Sequence, residues 1–537
     1  MPRPGLLAGA LVGALLSAAL IAILYLASHL AGLPFIPFDV FDWTARVLPG
    51  AVITFGIDAM VTVIRALDIG PTSEVAKLAE QTMAIAGLAV TGVVAGIVLF
   101  AVMRKRDAAR AISAGLVLGA IIGVPVALIV LTRGQPVAAG RVVAALWTVV
   151  AFLGFGAALG WVYRRLATVA AAEPGAAGVE AIDRRRFMIR LGGATAVITV
   201  AGATLGKLLA GGRAAGVAPA EERWSAMNPL PNAGAQVEPA EGTRPEFTPL
   251  DEHYRIDINA TPPVVDGEQW RLRISGLVDR PAELTLADLR ERYEPTHQLI
   301  TLACISNRIA GDLTSTTRWT GVSLGRLLQD VGLRPEATHL RIRSVDGFDE
   351  VVALDVVRAD PRVMLTYAWD GVPLPQQHGF PLRIYIPDRY GMKQPKWIES
   401  IEAIDQWEPG YWVRRGWDRD ALMHATSVID TIAVDMMIIQ ADPQSMTVPI
   451  GGIAHAGARG ISRVEVRMDD GPWQPALLRE PLSDTTWVIW RYDWPFQPGN
   501  HTFTVRCFER DGTSQIETPS SVRPSGATGL HSLGEVF

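Results

Sequence analysis

Long apolar stretches with few charges fill the first 210 residues, and short alternating segments fill the remainder. The runs 5–28, 82–103, 111–131, 142–163 and 191–209 are each long enough to cross a bilayer as a helix. Glycines and Pro125 interrupt some of them, which membrane helices tolerate because neighbouring groups re-satisfy the freed backbone. None shows the polar face that a soluble bundle helix turns to water. Residues 51–64 form a shorter stretch carrying Asp58, read as an interfacial or re-entrant helix.

The polar half divides by pattern. Residues 211–247 are rich in Gly, Ala, Pro and Glu without periodicity and read as a flexible linker. Residues 248–425 mix alternating strands with short helical patterns, an α+β domain. It includes a strand at 270–274, a turn at 279–281 and a helix capped by Thr285. From 426 to 537, short alternating segments separated by Asp-Gly and Pro-Gly turns predict an all-β sandwich. Trp473, Trp487, Trp490 and Trp494 there read as core or interface anchors.

Charge adds sidedness. Arg104, Lys105, Arg106 and Arg110 follow the second run, Arg164 and Arg165 follow the fourth, and Arg184, Arg185 and Arg186 precede the fifth. With five crossings, the positive-inside rule puts the N-terminus in the cytoplasm and everything after the last helix outside. The three arginines with Phe187 and the Gly/Ala/Thr-rich helix behind them resemble a twin-arginine export signal. The net charge of −5 points away from nucleic acid. Two cysteines, Cys304 and Cys507, give no metal-finger, haem-attachment or iron–sulfur spacing. Only His29 precedes His253, so the apolar half has no histidine pair for a bis-histidine haem.

Candidate chemistry centres on Cys304. The run 299–304 reads as a buried strand, residues 305–317 as a loop broken by Gly311, Asp312 and a Ser/Thr cluster, and 324–328 as helix. A thiol at a strand end facing a polar loop is either a small buried hydrophobe or a ligand. Cys507 alternates like a strand residue and reads as core.

Cys304 with Ser306, Asn307 and Arg308, followed by TRWTGVSL from Thr317, resembles the molybdenum-ligand segment of the sulfite oxidase family. Animal and plant members carry Cys-Ala-Gly-Asn-Arg there. This chain has Cys-Ile-Ser-Asn-Arg, closer to the bacterial membrane-linked branch. A second string, HGFPLRIYIPDRYGMKQPKW, resembles the family's pterin-binding segment. The resemblance implies a molybdenum–molybdopterin cofactor with Cys304 as the metal ligand, a soft thiolate suiting that role. It implies cofactor contacts from Tyr254, Arg255, Asn307, Asp346, His378, Arg383, Gln394, Pro395 and Lys396. Asp346 sits equally well as an ordinary Asp-Gly turn residue.

For the substrate, the resemblance implies an arginine-lined anion pocket, with Arg318, Arg414 and Arg415 as candidates. Trp417 falls where the family carries a tyrosine near the metal. The implied architecture is multi-domain: all-α transmembrane helices, an α+β sulfite-oxidase-like molybdopterin domain, and an immunoglobulin-like β-sandwich of the dimerisation type. The implied activity is oxygen-atom transfer on a small oxyanion such as sulfite. Electrons would leave to an external carrier or a quinone, and the protein would be a homodimer. Reduction of a sulfoxide or similar oxide with membrane electrons is the alternative, and a non-catalytic sensor or assembly protein is a third.

Overall fold

The computed structural model describes residues 4–67, 70–132, 139–168, 177–211, 220–434 and 447–537. It divides into two compact units.

The first unit is helical: α1 (Leu6–Ala31), α2 (Ile36–Val47), α3 (Gly50–Leu67), α4 (Thr72–Met103), α5 (Ala111–Thr132), α6 (Arg141–Thr168) and α7 (Ala177–Gly211). Five helical stretches are long and apolar enough to cross a membrane: Leu6–Ala31, Thr72–Met103, Ala108–Thr132, Arg141–Thr168 and Arg185–Leu209. They match the five runs expected from the pattern. The 51–64 stretch lies within α3. Close approach between α5 and α6 is made by small residues. A Cβ added at Gly115 would collide with the Gly156 carbonyl oxygen, and one at Gly156 with that of Gly115. Backbones meeting at this separation gain packing without large side chains. Leu116, Val117, Ile121, Val124 and Leu128 of α5 remain exposed.

The second unit begins with an extended segment. Its helix α8 (Trp224–Met227) docks through Trp224 N, which donates to Asp370 O at 2.8 Å. Arg479 Nε lies 2.7 Å from Glu246 Oε1, and Arg244 Nη2 lies 2.7 Å from Asp430 Oδ1. The described part of 211–247 is therefore laid onto the folded body and not a flexible linker. Side chains distant in sequence satisfy its backbone, and local composition carries no trace of them.

Ten strands and three helices follow: β1 (Leu272–Gly276), β2 (Ala282–Leu284), α9 (Leu286–Arg292), β3 (Thr296–Ala303), β4 (Thr314–Ser323), α10 (Leu324–Val331), β5 (His339–Ser344), β6 (Asp349–Ala353), α11 (Leu354–Ala359), β7 (Met364–Trp369), β8 (Val372–Pro373), β9 (Arg383–Tyr385) and β10 (Ile398–Ile404). One sheet runs β2-β1-β10-β5-β6 and the other β3-β4-β7-β8, with β9 on β7. A capping box between Thr285 and Asp288 starts α9. Leu324, Leu327, Leu328 and Val331 bury one stripe of α10 in a core shared with Leu272, Ile274, Leu340 and Ile401. The loop expected over 305–317 ends sooner. Thr314 opens β4, and Ser315, Thr316 and Thr317 are buried against β3. The threonines serve as β-branched strand residues and not as breakers.

The last part holds β11 (Thr426–Ile432), β12 (Thr447–His455), β13 (Ile461–Met468), β14 (Gln474–Pro475), β15 (Leu477–Leu478), β16 (Val488–Pro495), β17 (Asn500–Glu509) and β18 (His531–Val536). These form two four-stranded sheets, β11-β12-β16-β15 and β14-β13-β17-β18. Ile450, Val464, Trp490, Trp494, Phe503 and Cys507 fill one core between them. Both cysteines are free thiols. Trp473 is not a core anchor: it is partly exposed, with Arg467 and Arg506 guanidinium carbons 4.7 Å and 4.2 Å from its ring.

Candidate active site

Strand β3 ends at Ala303, so Cys304 opens the loop that returns as β4. Cys304 N donates to Leu313 O at 2.9 Å, and Leu313 N donates to Asn307 Oδ1 at 3.0 Å. The motif asparagine thus spends its side-chain oxygen bracing this loop. Cys304 Sγ lies 3.1 Å from Ser306 Oγ. Burial pushes the thiol pKa up, and the bonds to Ser306 pull it partly back. Ala303 and Ile305 pack with Tyr390, Met392, Trp417 and Met423, which sets Trp417 beside the cysteine segment. The indole Nε1 of Trp417 is buried without a hydrogen-bond partner.

The second motif gathers a buried cationic cluster. His378 closes a 3₁₀ turn and is followed by Gly379 at φ +112°. A Cβ on Gly379 would sit 3.1 Å from Lys396 Cβ and 3.3 Å from Arg383 Cβ, so glycine both permits this conformation and lets the three segments converge. Arg383 Nη1 donates to His378 O at 3.2 Å, and its guanidinium lies 4.7 Å from the Trp319 ring centre. Lys396 Nζ reaches Asp257 Oδ2 at 3.3 Å and Gln377 O at 3.2 Å. Arg255 Nε reaches the same Asp257 oxygen at 2.9 Å, while its Nη2 is buried and unpartnered. Burial lowers Arg383 to about 10 and Lys396 to about 8, the latter against the pull of Asp257. It also holds His378 well below its ordinary value, with His253 and Lys396 adding to the effect.

Tyr254 connects the two motifs. Burial raises its phenol pKa, Cys304 raises it further, and Arg383 lowers it. The hydroxyl therefore feels both the thiol and the guanidinium. Gln394 Nε2 donates to Arg389 O at 2.8 Å, and its Oε1 is buried without a partner. Pro395 O accepts from Ile384 N at 3.2 Å, fixing the motif loop to β9. Asp346 Oδ1 accepts from Phe348 N at 3.0 Å in the β5–β6 turn, which is its turn-forming role.

Arg318 is not brought to Cys304. Arg318 lies opposite Leu299 in the β3–β4 ladder, whereas Ala303 pairs with Thr314. Four residues along a strand amount to roughly 13 Å. Its guanidinium instead stacks over Trp224 at 4.9 Å. Arg414 bonds Asp349 at 2.9 Å, and Arg415 lies over Tyr411 at 3.6 Å. A strand places side chains by alternation and distance, which the proximity of Arg318 to Cys304 in sequence concealed.

Sequence reasoning passed over His253, Asp257 and Trp369. His253 is buried, stacks on Tyr254 at 5.5 Å and meets Trp369 at 5.2 Å and His378 at 5.5 Å. Burial and then Arg383 push it down to about 3, and its Nε2 is unpartnered. The run His253-Tyr254-Arg255-Ile256-Asp257 carried the signal: four chemistry-bearing side chains within five residues. Beside the cysteine loop, a cleft is lined by Ala303, Asn307, Arg308, Arg244, His424 and His455, among others.

The residues present fit an anionic, metal-bearing pterin. Buried Arg383 bonds the His378 carbonyl, Arg255 and Lys396 share Asp257, donors and an acceptor are left without partners, and the Tyr254 hydroxyl lies by Gly391 close to the Ala303 carbonyl that precedes the buried Cys304. An unpaired buried charge is costly, and an anionic ligand removes that cost.

The comparisons agree. Residues 259–412 match the model of the oxidoreductase molybdopterin binding domain. Sulfite oxidase from Gallus gallus is 27% identical over 329 residues, covering 53% of this chain and 71% of that enzyme. The uncharacterized oxidoreductase YuiH of Bacillus subtilis is 30% identical over 154 residues, 28% of this chain and 74% of the relative. Against human mitochondrial sulfite oxidase the match spans 55% of the enzyme's length. The solved sulfane dehydrogenase SoxCD from Paracoccus pantotrophus aligns with a TM-score of 0.46 and 22% identity over 55% of this chain and 82% of that one. The chain belongs to the sulfite oxidase family of molybdopterin-dependent oxidoreductases, with a molybdenum–molybdopterin cofactor.

Proposed function

We propose that this is a membrane-anchored enzyme transferring an oxygen atom to or from a small oxyanion, sulfite being the simplest case. One observation carries the reading. The two motifs meet at Tyr254: a Cβ on Gly391 would lie 3.1 Å from its hydroxyl and 3.5 Å from the carbonyl oxygen of Ala303, the residue before Cys304, and His253, stacked on Tyr254, meets His378 at 5.5 Å. In this reading Cys304 supplies the thiolate for molybdenum. Arg255, Arg383 and Lys396 hold the cofactor phosphate, Arg as a planar fork and Lys as a point charge. His253, His378 and Gln394 offer ring and amide atoms to the pterin. Asn307 and Ser306 hold the cysteine loop in place, and Trp417 shields the thiol from water. The cofactor supplies the two-electron redox chemistry.

The exposed apolar residues of α5 would face lipid. The arginine clusters would keep the loops beside them in the cytoplasm and leave the catalytic unit on the extracytoplasmic side, with the Arg184–Arg186 segment acting as export signal. Electrons would pass to an external carrier or a quinone. The two C-terminal sheets would form an immunoglobulin-like module through which two copies pair. Reduction of an oxide is the second reading, favoured by the placement of Arg318 along β4, away from the Cys304 loop.

Elemental and pterin analysis of the purified protein, followed by turnover with sulfite and with sulfoxides, tests the proposal. About one molybdenum per chain and sulfite-dependent reduction of an artificial acceptor are expected. A metal-free, pterin-free protein from a cofactor-competent host would overturn it.

A further inference from the structure

The cleft beside Cys304 is built differently from a pocket for a bare oxyanion. Ala303 and Asn307 line it from the cysteine segment, and Val428, Ile453 and His455 line it from the C-terminal sheets. Its charge is small. Arg244 gives Nη2 and Nε to Asp430 at 2.7 Å and 3.0 Å, so its charge is already answered. Arg308 makes no ion pair among the described residues. His455 is 6% exposed, and its Nε2 is buried without a partner. Burial drives its pKa down to about 3, so it stays neutral and adds no charge. Ile309, Met423, Val428 and Ile453 supply apolar wall.

A compact dianion loses strong hydration on entering such a site, and one guanidinium returns only part of it. A singly charged headgroup is matched by one guanidinium. An apolar substituent then gains free energy by leaving water for the apolar wall. The unpartnered Nε2 of His455 is a further polar contact available to the headgroup.

We infer that this cleft takes a singly charged organic oxyanion, headgroup on Arg308 and apolar body against Ile309, Val428 and Ile453, in preference to a bare inorganic dianion. The inference rests on the proposed active site only in treating the cleft as the substrate's seat.

Calorimetric titration of the full-length purified protein with benzenesulfonate and with sulfate, at matched ionic strength, tests it. Benzenesulfonate should bind at least tenfold tighter than sulfate. Arg308→Gln should weaken it tenfold or more. The milder Ile453→Val should weaken benzenesulfonate two- to fivefold and leave sulfate unchanged. Equal or tighter sulfate binding, indifference to Arg308→Gln, or no binding of either probe overturns the inference. Molybdenum content of the same preparations separates the two claims. Metal present with sulfate preferred sinks this inference alone. Metal absent with benzenesulfonate held through Arg308 sinks the active-site reading and leaves the ligand class standing.

Discussion

Lys396 Nζ lies 3.3 Å from Asp257 Oδ2, the oxygen that Arg255 Nε also reaches at 2.9 Å. One carboxylate thus serves two cations, and Arg383 stands close by with no carboxylate bonded to it among the described residues. A protein that buries more positive than negative charge is poised for an anion. Without the anion it carries a standing cost.

That cost gives the first prediction two opposite arms. Lys396→Met should lower molybdenum and pterin content at least about tenfold, the equivalent of ~1.4 kcal/mol of binding. The same change should raise the unfolding midpoint of the cofactor-free chain, because it removes a buried ammonium. Metal analysis and thermal denaturation of parallel preparations read the two arms. A fall in both would mean that Lys396 is an ordinary structural ion-pair partner.

Acid should unfold the cofactor-free protein early. His253 and His455 are lowered from 6.5 to about 3, and His378 shifts the same way, all chiefly by burial. Between those values the unfolded chain binds more protons than the folded one. Stability therefore rises with pH in that window and is lost as pH falls from 6.5 toward 3. Above 6.5 these groups contribute no slope. Chemical denaturation at pH 7.5, 6 and 5 should show the decline, and His455→Asn should flatten part of it. A flat profile over that range would falsify the assignment of buried neutral imidazoles.

The apolar half was legible because length and composition alone decide whether a helix can span a bilayer, and each of the five runs reappears as a helix. The cysteine and pterin motifs were legible because they are contiguous strings. Asp257 and Trp369 were not, since each acts across segments that only folding brings together. Arg318 misled for a related reason: fourteen residues from Cys304 in sequence, it lies well along the strand that turns back from it. The 220–247 segment looked unstructured because its partners, Asp370, Asp430 and Arg479, lie far along the chain.

Cys304→Ser separates ligation from folding. Cys304 is 8% exposed, and the side chain its thiol bonds, Ser306, can bond a hydroxyl equally well. The variant should keep its unfolding midpoint within a few degrees, since a near-isosteric change with its hydrogen bond retained costs on the order of 1 kcal/mol. Molybdenum and turnover should both be lost. Retention of full activity would leave Cys304 as nothing more than a small buried side chain.

Arg318 offers the sharpest contrast with Arg308, because both are arginines of the same motif. Arg308 lines the cleft by Cys304, whereas Arg318 lies over the Trp224 ring on the extended segment. Burial lowers the Arg318 pKa, and Asp370 opposes the shift. Its work is therefore to hold α8 against β4. Arg318→Gln should leave the KM for any oxyanion substrate within about twofold. It should loosen the Trp224 segment by about 0.5–2 kcal/mol, the range for a partly buried cation–π contact. Steady-state kinetics and hydrogen exchange over 220–228 measure the two effects. A tenfold rise in KM without faster exchange would return Arg318 to the substrate pocket, against its register opposite Leu299.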